Sequence, residues 1–368
     1  MGKRAFLIAL SFLVSAAVCE GLLRLLWTNP YRAELPEQVI SLRMQHALRT
    51  LPVDRSQVYP DSPTALLRTD ARAYILPSHQ FEKPDVTIAF LGGSTTECAA
   101  VTEELRFPAL VSTLLAERGL QVNTLNAGYS GNTTHDAINL LLNHVVEDRP
   151  DVVVLMEAAN DIGVYGVEQS YASRGGAPLR AGTALRWAMQ AASSRLSLFG
   201  ALRSYLTLGP VEMTAENGVF RERKKVKVSP EAYVQRLRVF VRMARAFGIE
   251  PVLMTQPAVG MRTALTPEWI DTGSQSAFND EMRRVAAEEN VVLIDLARYL
   301  AENVADWQEP LVVFYDGVHV NDEGSRIYAA HISQRLSDTV LRRSRPLGDH
   351  DEEAPLAAPA QDGARLDH

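Results

Sequence analysis

Five short apolar segments alternate with longer amphipathic segments from Val86 onward, and this alternation constrains the fold more than any other feature. Apolar segments separated by helical patterns are typical of a parallel sheet that helices cover on both faces. The sequence predicts strands at 86–92, 121–126, 151–157, 249–255 and 291–295. It predicts helices at 106–119, 134–148, 229–247, 276–289 and 321–341. The expected fold class is therefore α/β, with a mostly parallel five-stranded sheet.

The remaining segments suggest how the chain is divided. Residues 29–82 contain scattered prolines and no long period, which predicts a lead-in segment packed on a domain at 83–341. Residues 162–228 are too long for a strand-to-helix connection and are expected to be an insertion. Within it, 183–208 carries apolar residues at helical spacing, either as a lid or as extra packing on the domain edge. The tail at 342–368 is rich in Ala, Pro and acidic residues, a composition typical of disorder.

The N-terminus combines a basic start with an apolar run. Lys3 and Arg4 precede the stretch Ala5–Trp27. As a helix, this stretch would be about 34 Å long, enough to cross a hydrocarbon core of about 30 Å. Because basic residues tend to stay on the cytoplasmic side of a membrane, the rest of the chain is expected outside the cytoplasm, in the periplasm.

Two interpretations of this N-terminus stay open. The first is a single-pass membrane anchor over residues 1–28, in which Glu20 and Arg24 pair on one helix face near the interface. The second is a cleaved signal peptide, because the charge-free part of the run is short. The sequence Ala17-Val18-Cys19 is a poor cleavage site, so the anchor is favoured.

Charge and cysteine content exclude some classes of protein. The net charge of −7 argues against a general nucleic-acid binder. With only Cys19 and Cys98, the chain has no disulfide framework. The basic stretch Arg221–Lys227 is either a solvated loop or a contact for anionic headgroups or an anionic polymer.

Polar residues that could carry chemistry stand close to the predicted strand ends. Ser94 follows the first strand through Gly92-Gly93, which places a hydroxyl at the carboxyl edge of the sheet, where open α/β folds have their sites. Among eight histidines, His319 stands out because Asp316 precedes it by three residues. In a turn, that spacing lets the carboxylate reach Nδ1 while Nε2 faces the serine. His319 is therefore the predicted base for a Ser94 nucleophile.

Donors for a developing oxyanion are also expected at this edge. Gly128 ends the second predicted strand and Asn160 follows the third, so both could join the Ser94 backbone N–H. Each residue also has a purely structural interpretation, with Asp316 capping a turn, Gly128 as a turn glycine and Asn160 as a cap. Their joint placement favours the catalytic interpretation. Asp161 is expected to bond backbone groups in a turn.

Other chemistries find less support. Cys98 is an alternative nucleophile, but nothing in the sequence pairs it with a base. No metal-ligand spacing occurs, and Gly92-Gly93 lacks the Gly-Lys-Ser/Thr of a phosphate-binding loop. The sequence therefore predicts neither a metal ion nor a cofactor.

Over about residues 86–341 the chain resembles the SGNH hydrolase superfamily, also called the GDSL esterases. Four blocks match in order: Gly92-Gly93-Ser94, Gly128 within Asn126–Gly131, Asn160-Asp161, and Asp316-x-x-His319. The resemblance implies a flavodoxin-like three-layer α/β/α sandwich, a triad of Ser94, His319 and Asp316, and an oxyanion hole from Ser94, Gly128 and Asn160.

Two positions depart from the family pattern. Gly93 replaces the usual Asp before the serine, and Ala158 replaces the usual Gly of the asparagine block. Neither change removes a catalytic group, so both are expected to affect the shape of the pocket. The N-terminal helix with Glu20-x-x-x-Arg24 is similar to that of membrane-anchored bacterial members.

The resemblance implies a serine esterase that cleaves acyl esters, in the first place acetyl esters, through an acyl-enzyme. The substrate could be an acylated glycan, a lipid or a small ester. One alternative is an O-acyltransferase that uses the same triad on a cell-surface polysaccharide. The other alternative is a non-catalytic scaffold that binds glycan at the membrane.

Overall fold

The computed structural model describes residues 3–26, 42–168, 171, 192, 195–199, 201, 229–259 and 272–341. The predicted tail at 342–368, the basic stretch Arg221–Lys227 and most of the predicted insertion lie outside the described residues. Within them, the helices and strands follow the alternation that begins at Val86, with an additional helix and hairpin before it.

The first helix, α1 (Lys3–Leu26), forms where an apolar helix was predicted. Glu20 and Arg24 form an ion pair at 2.7 Å, and Glu20 also accepts hydrogen bonds from the backbone N–H groups of Ser197 and Leu198. Across the part of the chain that the structure describes, no helix is long and apolar enough to cross a membrane. The predicted membrane-spanning anchor is therefore not supported.

The lead-in segment contains a β-hairpin that was not predicted. Strands β1 (Thr50–Asp54) and β2 (Thr64–Arg68) pair antiparallel, with Thr50 opposite Arg68. Pro52 lies inside β1. A strand with a single hydrogen-bonded neighbour tolerates a proline, because one side of its backbone needs no ladder donor.

The main sheet consists of parallel strands with helices between them. Its strands are β3 (Val86–Gly92), β4 (Val122–Asn126), β5 (Val152–Met156), β6 (Glu250–Met254) and β7 (Val292–Ile294). The helices are α2 (Ser94–Glu97), α3 (Phe107–Ala116), α4 (Thr134–Asn143), α5 (Ala159–Glu168), α6 (Glu231–Ala246), α7 (Thr272–Glu288), α8 (Leu296–Asn303) and α9 (Asp322–Leu336). These bounds confirm the five predicted strands, but α5 and α8 were not predicted.

The strand order is β4-β3-β5-β6-β7, which is the flavodoxin-like order. The second strand, β4, lies on one side of the first strand, β3, and the later strands β5 to β7 lie on the other side. In this register Phe90 lies opposite Asn126, and Gly92 lies opposite Met156. The carboxyl ends of β3, β4 and β5 therefore meet at one edge of the sheet, at the point where the strand order reverses. Open sheets of this kind bind their ligands in the crevice at that edge.

Two apolar cores cover the two faces of the sheet, as a three-layer arrangement requires. On one face Ile88 and Phe90 pack against α3, α8 and α9. On the other face Ala89 and Leu91 pack against α4, α6 and α7. Because side chains alternate along a strand, a buried parallel strand such as β3 must be apolar on both faces.

Candidate active site

The turn between β3 and α2 needs two glycines. A Cβ atom on Gly92 would collide with the Thr96 side chain and the Met156 carbonyl oxygen, and one on Gly93 would collide with the Asn160 amide. A side chain at position 93, where the family usually has an aspartate, would therefore require the Asn160 amide to move. The turn leaves Ser94 half-buried at the first position of α2.

The structure brings Ser94, His319 and Asp316 together. The Ser94 Oγ lies 2.7 Å from His319 Nε2, although 225 residues separate the two in sequence. The Nδ1 atom of the same imidazole lies 2.6 Å from Asp316 Oδ2. Hydroxyl, imidazole and carboxylate thus form one hydrogen-bonded series, with the imidazole side chain 19% exposed and the carboxylate side chain 10% exposed.

The loop before α9 holds this carboxylate and imidazole in place. Asp316 Oδ1 accepts hydrogen bonds from the backbone N–H groups of His319 (2.8 Å) and Val318 (3.2 Å). Gly317 adopts a φ of 90°, which favours glycine. Asn321 then caps α9 by accepting from Gly324 N at 2.8 Å. One oxygen of Asp316 thus bonds the turn and the other contacts the imidazole, so the geometry is compatible with both interpretations from the sequence.

The two residues predicted as oxyanion donors besides Ser94 both make internal hydrogen bonds. The Gly128 N–H donates to Asn126 Oδ1 at 3.0 Å, and Asn160 Nδ2 donates to the Asn132 carbonyl oxygen at 2.7 Å. A Cβ atom on Gly128 would collide with the backbone of Glu97, so a side chain is excluded there. The amide of Asn160 carries a second hydrogen, and the Ser94 N–H lies at a helix start, where no intrahelical partner exists.

Gln256, which follows β6, was not predicted as a site residue. It connects the turn between β3 and α2 to the turn between β5 and α5. Its Nε2 donates to Thr95 Oγ1 at 2.9 Å, next to the nucleophile, and its Oε1 accepts from Ala159 N at 2.8 Å, next to Asn160. The carbonyl oxygen of Gln256 accepts from Gln275 Nε2 and Asn279 Nδ2 on α7. The side chain is buried, so both of its bonds lie away from water. No motif marks this residue, since its partners are distant in sequence.

The lead-in segment also supports the oxyanion side. Gln45 Nε2 donates to Glu97 Oε1 at 2.6 Å and to the Gly128 carbonyl oxygen at 3.3 Å. Arg43 donates to the Asn132 side chain at 3.2 Å. Residues before the predicted domain therefore hold Gly128 and Asn132 in place. Asn132 in turn accepts the hydrogen bond from Asn160.

Two alternative roles from the sequence can be compared with the structure. Burial raises the pKa of the Cys98 thiol to about 12, which leaves no thiolate at neutral pH and argues against a nucleophilic role. Asp161 was expected to bond backbone groups in a turn, but it lies in α5 and accepts hydrogen bonds from Thr134 N and Thr134 Oγ1 at the start of α4. Burial raises the pKa of Asp161 to about 6, and its hydrogen bonds partly oppose that rise. The described residues contain no cluster of His, Cys, Asp and Glu suited to a metal ion.

The sequence pattern of the GDSL-like Lipase/Acylhydrolase family matches residues 90–327, which include all four blocks. The chain belongs to this family. Its enzyme class is that of the carboxylic ester hydrolases. The match begins after the hairpin β1–β2, within β3. A comparison with curated proteins gives no match.

Several solved structures are similar to this chain. Axe2, an acetylxylan esterase from Geobacillus stearothermophilus, is 18% identical, with 68% of this chain and 94% of that chain covered and a TM-score of 0.45. The acetyl xylan esterase AlAXEase is 19% identical, with 69% and 100% covered and a TM-score of 0.44. LAE5, an alpha/beta hydrolase enzyme from the metagenome of Lake Arreo in Spain, is 20% identical, with 68% and 95% covered and a TM-score of 0.42.

Proposed function

We propose that this chain hydrolyses acyl esters, in the first place acetyl esters, with Ser94 as nucleophile. His319 is the general base and Asp316 orients it. The observation that carries the proposal is the hydrogen-bonded series from Ser94 Oγ through the imidazole to Asp316, at 2.7 and 2.6 Å. A serine hydroxyl is a weak nucleophile at neutral pH, and an adjacent base that accepts its proton activates it.

The reaction proceeds in two halves. Ser94 Oγ attacks the ester carbonyl carbon as His319 Nε2 takes the hydroxyl proton, and the carbonyl oxygen becomes an oxyanion. His319 then gives that proton to the leaving alkoxide, which departs as the alcohol. In the second half, His319 takes a proton from the water that attacks the acyl-enzyme and then gives it to Ser94 Oγ, as the bond from Oγ to the acyl carbon breaks and the acid is released. Asp316 keeps Nδ1 protonated, so that Nε2 is free to accept.

The oxyanion requires donors aimed at the charge that develops. The Ser94 N–H and the second amide hydrogen of Asn160 suit this role. Gly128 N–H already donates to Asn126 Oδ1, so its contribution requires a shared or exchanged hydrogen bond. Glycine at position 128 then serves mainly to let the turn approach the backbone of Glu97.

Acyl transfer to a sugar hydroxyl would use the same residues, with the sugar in place of water. A non-catalytic scaffold would not need the hydroxyl, imidazole and carboxylate in series. We propose hydrolysis over both. A location outside the cytoplasm, based on Lys3 and Arg4 before the apolar run, belongs to the same proposal. Protease added to intact spheroplasts should degrade the catalytic domain, whereas full protection of the domain would overturn that location.

The enzymatic test uses the full chain and a 4-nitrophenyl acetate assay. Ser94→Ala should abolish hydrolysis and leave the circular dichroism spectrum unchanged. Ser337→Ala is a matched control, because Ser337 directly follows α9, about 22 Å along the helix from the end next to His319. The control should retain full activity. If Ser94→Ala keeps more than a few per cent of the activity, Ser94 is not the nucleophile.

A further inference from the structure

A groove lies between the hairpin β1–β2 and the family domain. It has a volume of about 290 Å³, close to the lower end of the range for small-molecule sites. The hairpin contributes one wall, and the segment after α2 together with Tyr315 contributes the other. Its lining residues are Val53, Asp54, Arg55, Gln57, Val58, Ala99, Ala100 and Tyr315.

The groove lies beside the imidazole of the site. The ring of Tyr315 stacks on His319, with 5.6 Å between the ring centroids and 14° between the planes. Tyr315 and Ala100 also line a small cavity together with Ser94 and His319. Gly128 and Asn160 line neither space. Because Tyr315 lines the groove and stacks on His319, the groove lies next to the imidazole.

This placement decides which part of an ester the groove can hold. His319 must donate its proton to the leaving oxygen, so the alcohol part of the ester has to lie next to the imidazole. The carbonyl oxygen has to point to the Ser94 N–H and to Asn160. The groove next to Tyr315 consequently suits the alcohol part and not the acyl chain.

The side chains in the groove determine which alcohols fit. Asp54 and Gln57 are exposed, and together they offer carboxylate and amide acceptors and an amide donor. The backbone N–H of Ser56 lowers the pKa of Asp54, so its carboxylate is charged at neutral pH. An alkyl chain would desolvate this charge without compensation. An anionic alcohol part would be repelled by it.

Arg55 does not offset that negative charge toward a ligand. Its guanidinium is buried and donates to the Ser62 and Ala100 carbonyl oxygens and to the hydroxyl groups of Thr102 and Ser62. The groove therefore presents a carboxylate and an amide to whatever enters it. Hydroxyl groups, which can donate to both, are the complementary chemistry.

We propose that the groove between the hairpin and Tyr315 binds the sugar residue whose ester Ser94 cleaves, so that the substrates are O-acylated saccharides. This inference rests on the proposed esterase function and names the substrate class of the same site. The hairpin is firmly docked, since Arg55 bonds Ala100 and Thr102, and Tyr59 OH accepts from Asp322 N at 2.6 Å. It lies outside the residues 90–327 that match the family.

The test compares two esters with the same acyl group and different alcohols, 4-nitrophenyl acetate and a mono-O-acetylated methyl glucoside, on the full chain. Gln57→Ala should lower kcat/KM for the acetylated glucoside about fivefold, as loss of one hydrogen bond predicts, and Asp54→Asn about tenfold. Neither should change kcat/KM for the aryl acetate more than twofold. Asp61→Asn, an exposed change in the same hairpin outside the groove, is the control and should change neither value.

Each other outcome contradicts the proposal in a distinct way. Equal losses on both esters would mean that the hairpin affects the catalytic groups and not the sugar. Unchanged values on both would exclude the groove as a subsite. A third ester, 4-nitrophenyl octanoate, tests the acyl chain. If Gln57→Ala and Asp54→Asn lower kcat/KM for the octanoate alone, the groove binds the acyl chain. A wild-type chain that cleaves neither acetate would instead reject the esterase function itself.

Discussion

The two sides of the site use their polar groups differently. On the nucleophile side, Ser94, His319 and Asp316 are bonded to one another in the order in which the reaction would use them. On the oxyanion side, Gly128 N–H and Asn160 Nδ2 donate to Asn126 and Asn132. On the first side only Asp316 Oδ1 also bonds a backbone turn, whereas on the second side both predicted donors take part in bonds that hold loops.

This difference has a consequence for variants. Apart from the turn bonds of Asp316 Oδ1, which an asparagine would keep, changes on the nucleophile side remove few structural contacts, so they should lower the rate with little loss of stability. Changes on the oxyanion side leave a buried partner without its hydrogen bond, so they should lower both. The following predictions test that distinction.

Asp316→Asn should lower kcat by about four powers of ten while the melting temperature changes little. An asparagine still accepts the backbone bonds of the turn, but it no longer holds the imidazole in the tautomer with a proton on Nδ1. Steady-state kinetics with 4-nitrophenyl acetate measure the effect. Asp280→Asn, on the exposed surface of α7, is the control. A decrease smaller than tenfold would remove Asp316 from the mechanism.

Asn160→Ala should lower kcat by two to three powers of ten, as loss of one oxyanion donor does, with KM nearly unchanged. It should also lower the free energy of unfolding by about 1–2 kcal/mol, because the Asn132 carbonyl oxygen loses its donor. Asn143→Ala, at the exposed end of α4, controls for both measurements. A large rise in KM with kcat unchanged would make Asn160 a substrate-binding residue.

Gln256→Leu should lower kcat about tenfold without raising KM, because Gln256 positions the turns of Ser94 and Asn160 and does not contact the substrate. Leucine leaves Thr95 Oγ1 and Ala159 N unpaired. Gln275→Leu is a matched control that removes a bond to the Gln256 carbonyl oxygen but leaves both side-chain bonds in place. Equal losses of kcat in the two variants would show that Gln256 acts only through general stability.

Thr134→Val should have the smallest effect, and that effect should depend on pH. The pKa of Asp161 is about 6, above its ordinary value of 3.8, so its contribution to stability is full below about pH 4 and is lost as the pH rises through 6. The Thr134 hydroxyl stabilises the charged form. Its removal should lower the free energy of unfolding by about 1 kcal/mol at pH 7.5 and by less at pH 4.5. Equal losses at both pH values, with Thr113→Val as control, would contradict this assignment.

The sheet and the nucleophile side could be predicted because their signals are local. Strand β3 is a continuous apolar run, and Asp316 and His319 stand three residues apart, so the sequence itself contains both patterns. The hairpin β1–β2 was missed because Pro52 disfavours a strand and no Gly-rich two-residue turn joins its halves.

The glutamines that hold the loops of the oxyanion side in place could not be predicted, because their partners are distant in sequence. Gln256 meets Thr95 across 161 residues, and Gln45 meets Gly128 across 83. Nothing near a glutamine in sequence shows which distant backbone it will contact. The bond from Gly128 N–H to Asn126 Oδ1 is local, but a glycine at a strand end fits both an oxyanion donor and a turn, so the sequence left its role open.

The most direct test of the account is covalent labelling of the full chain with an alkyl fluorophosphonate, followed by peptide mass spectrometry. An activated serine oxygen attacks the phosphorus and displaces fluoride, so the reagent reports the nucleophile independently of any substrate. The account predicts a single phosphonyl adduct on Ser94, formed much more slowly in His319→Ala. An adduct on Cys98 or another residue, or ester cleavage that persists with Ser94 unlabelled, would contradict it.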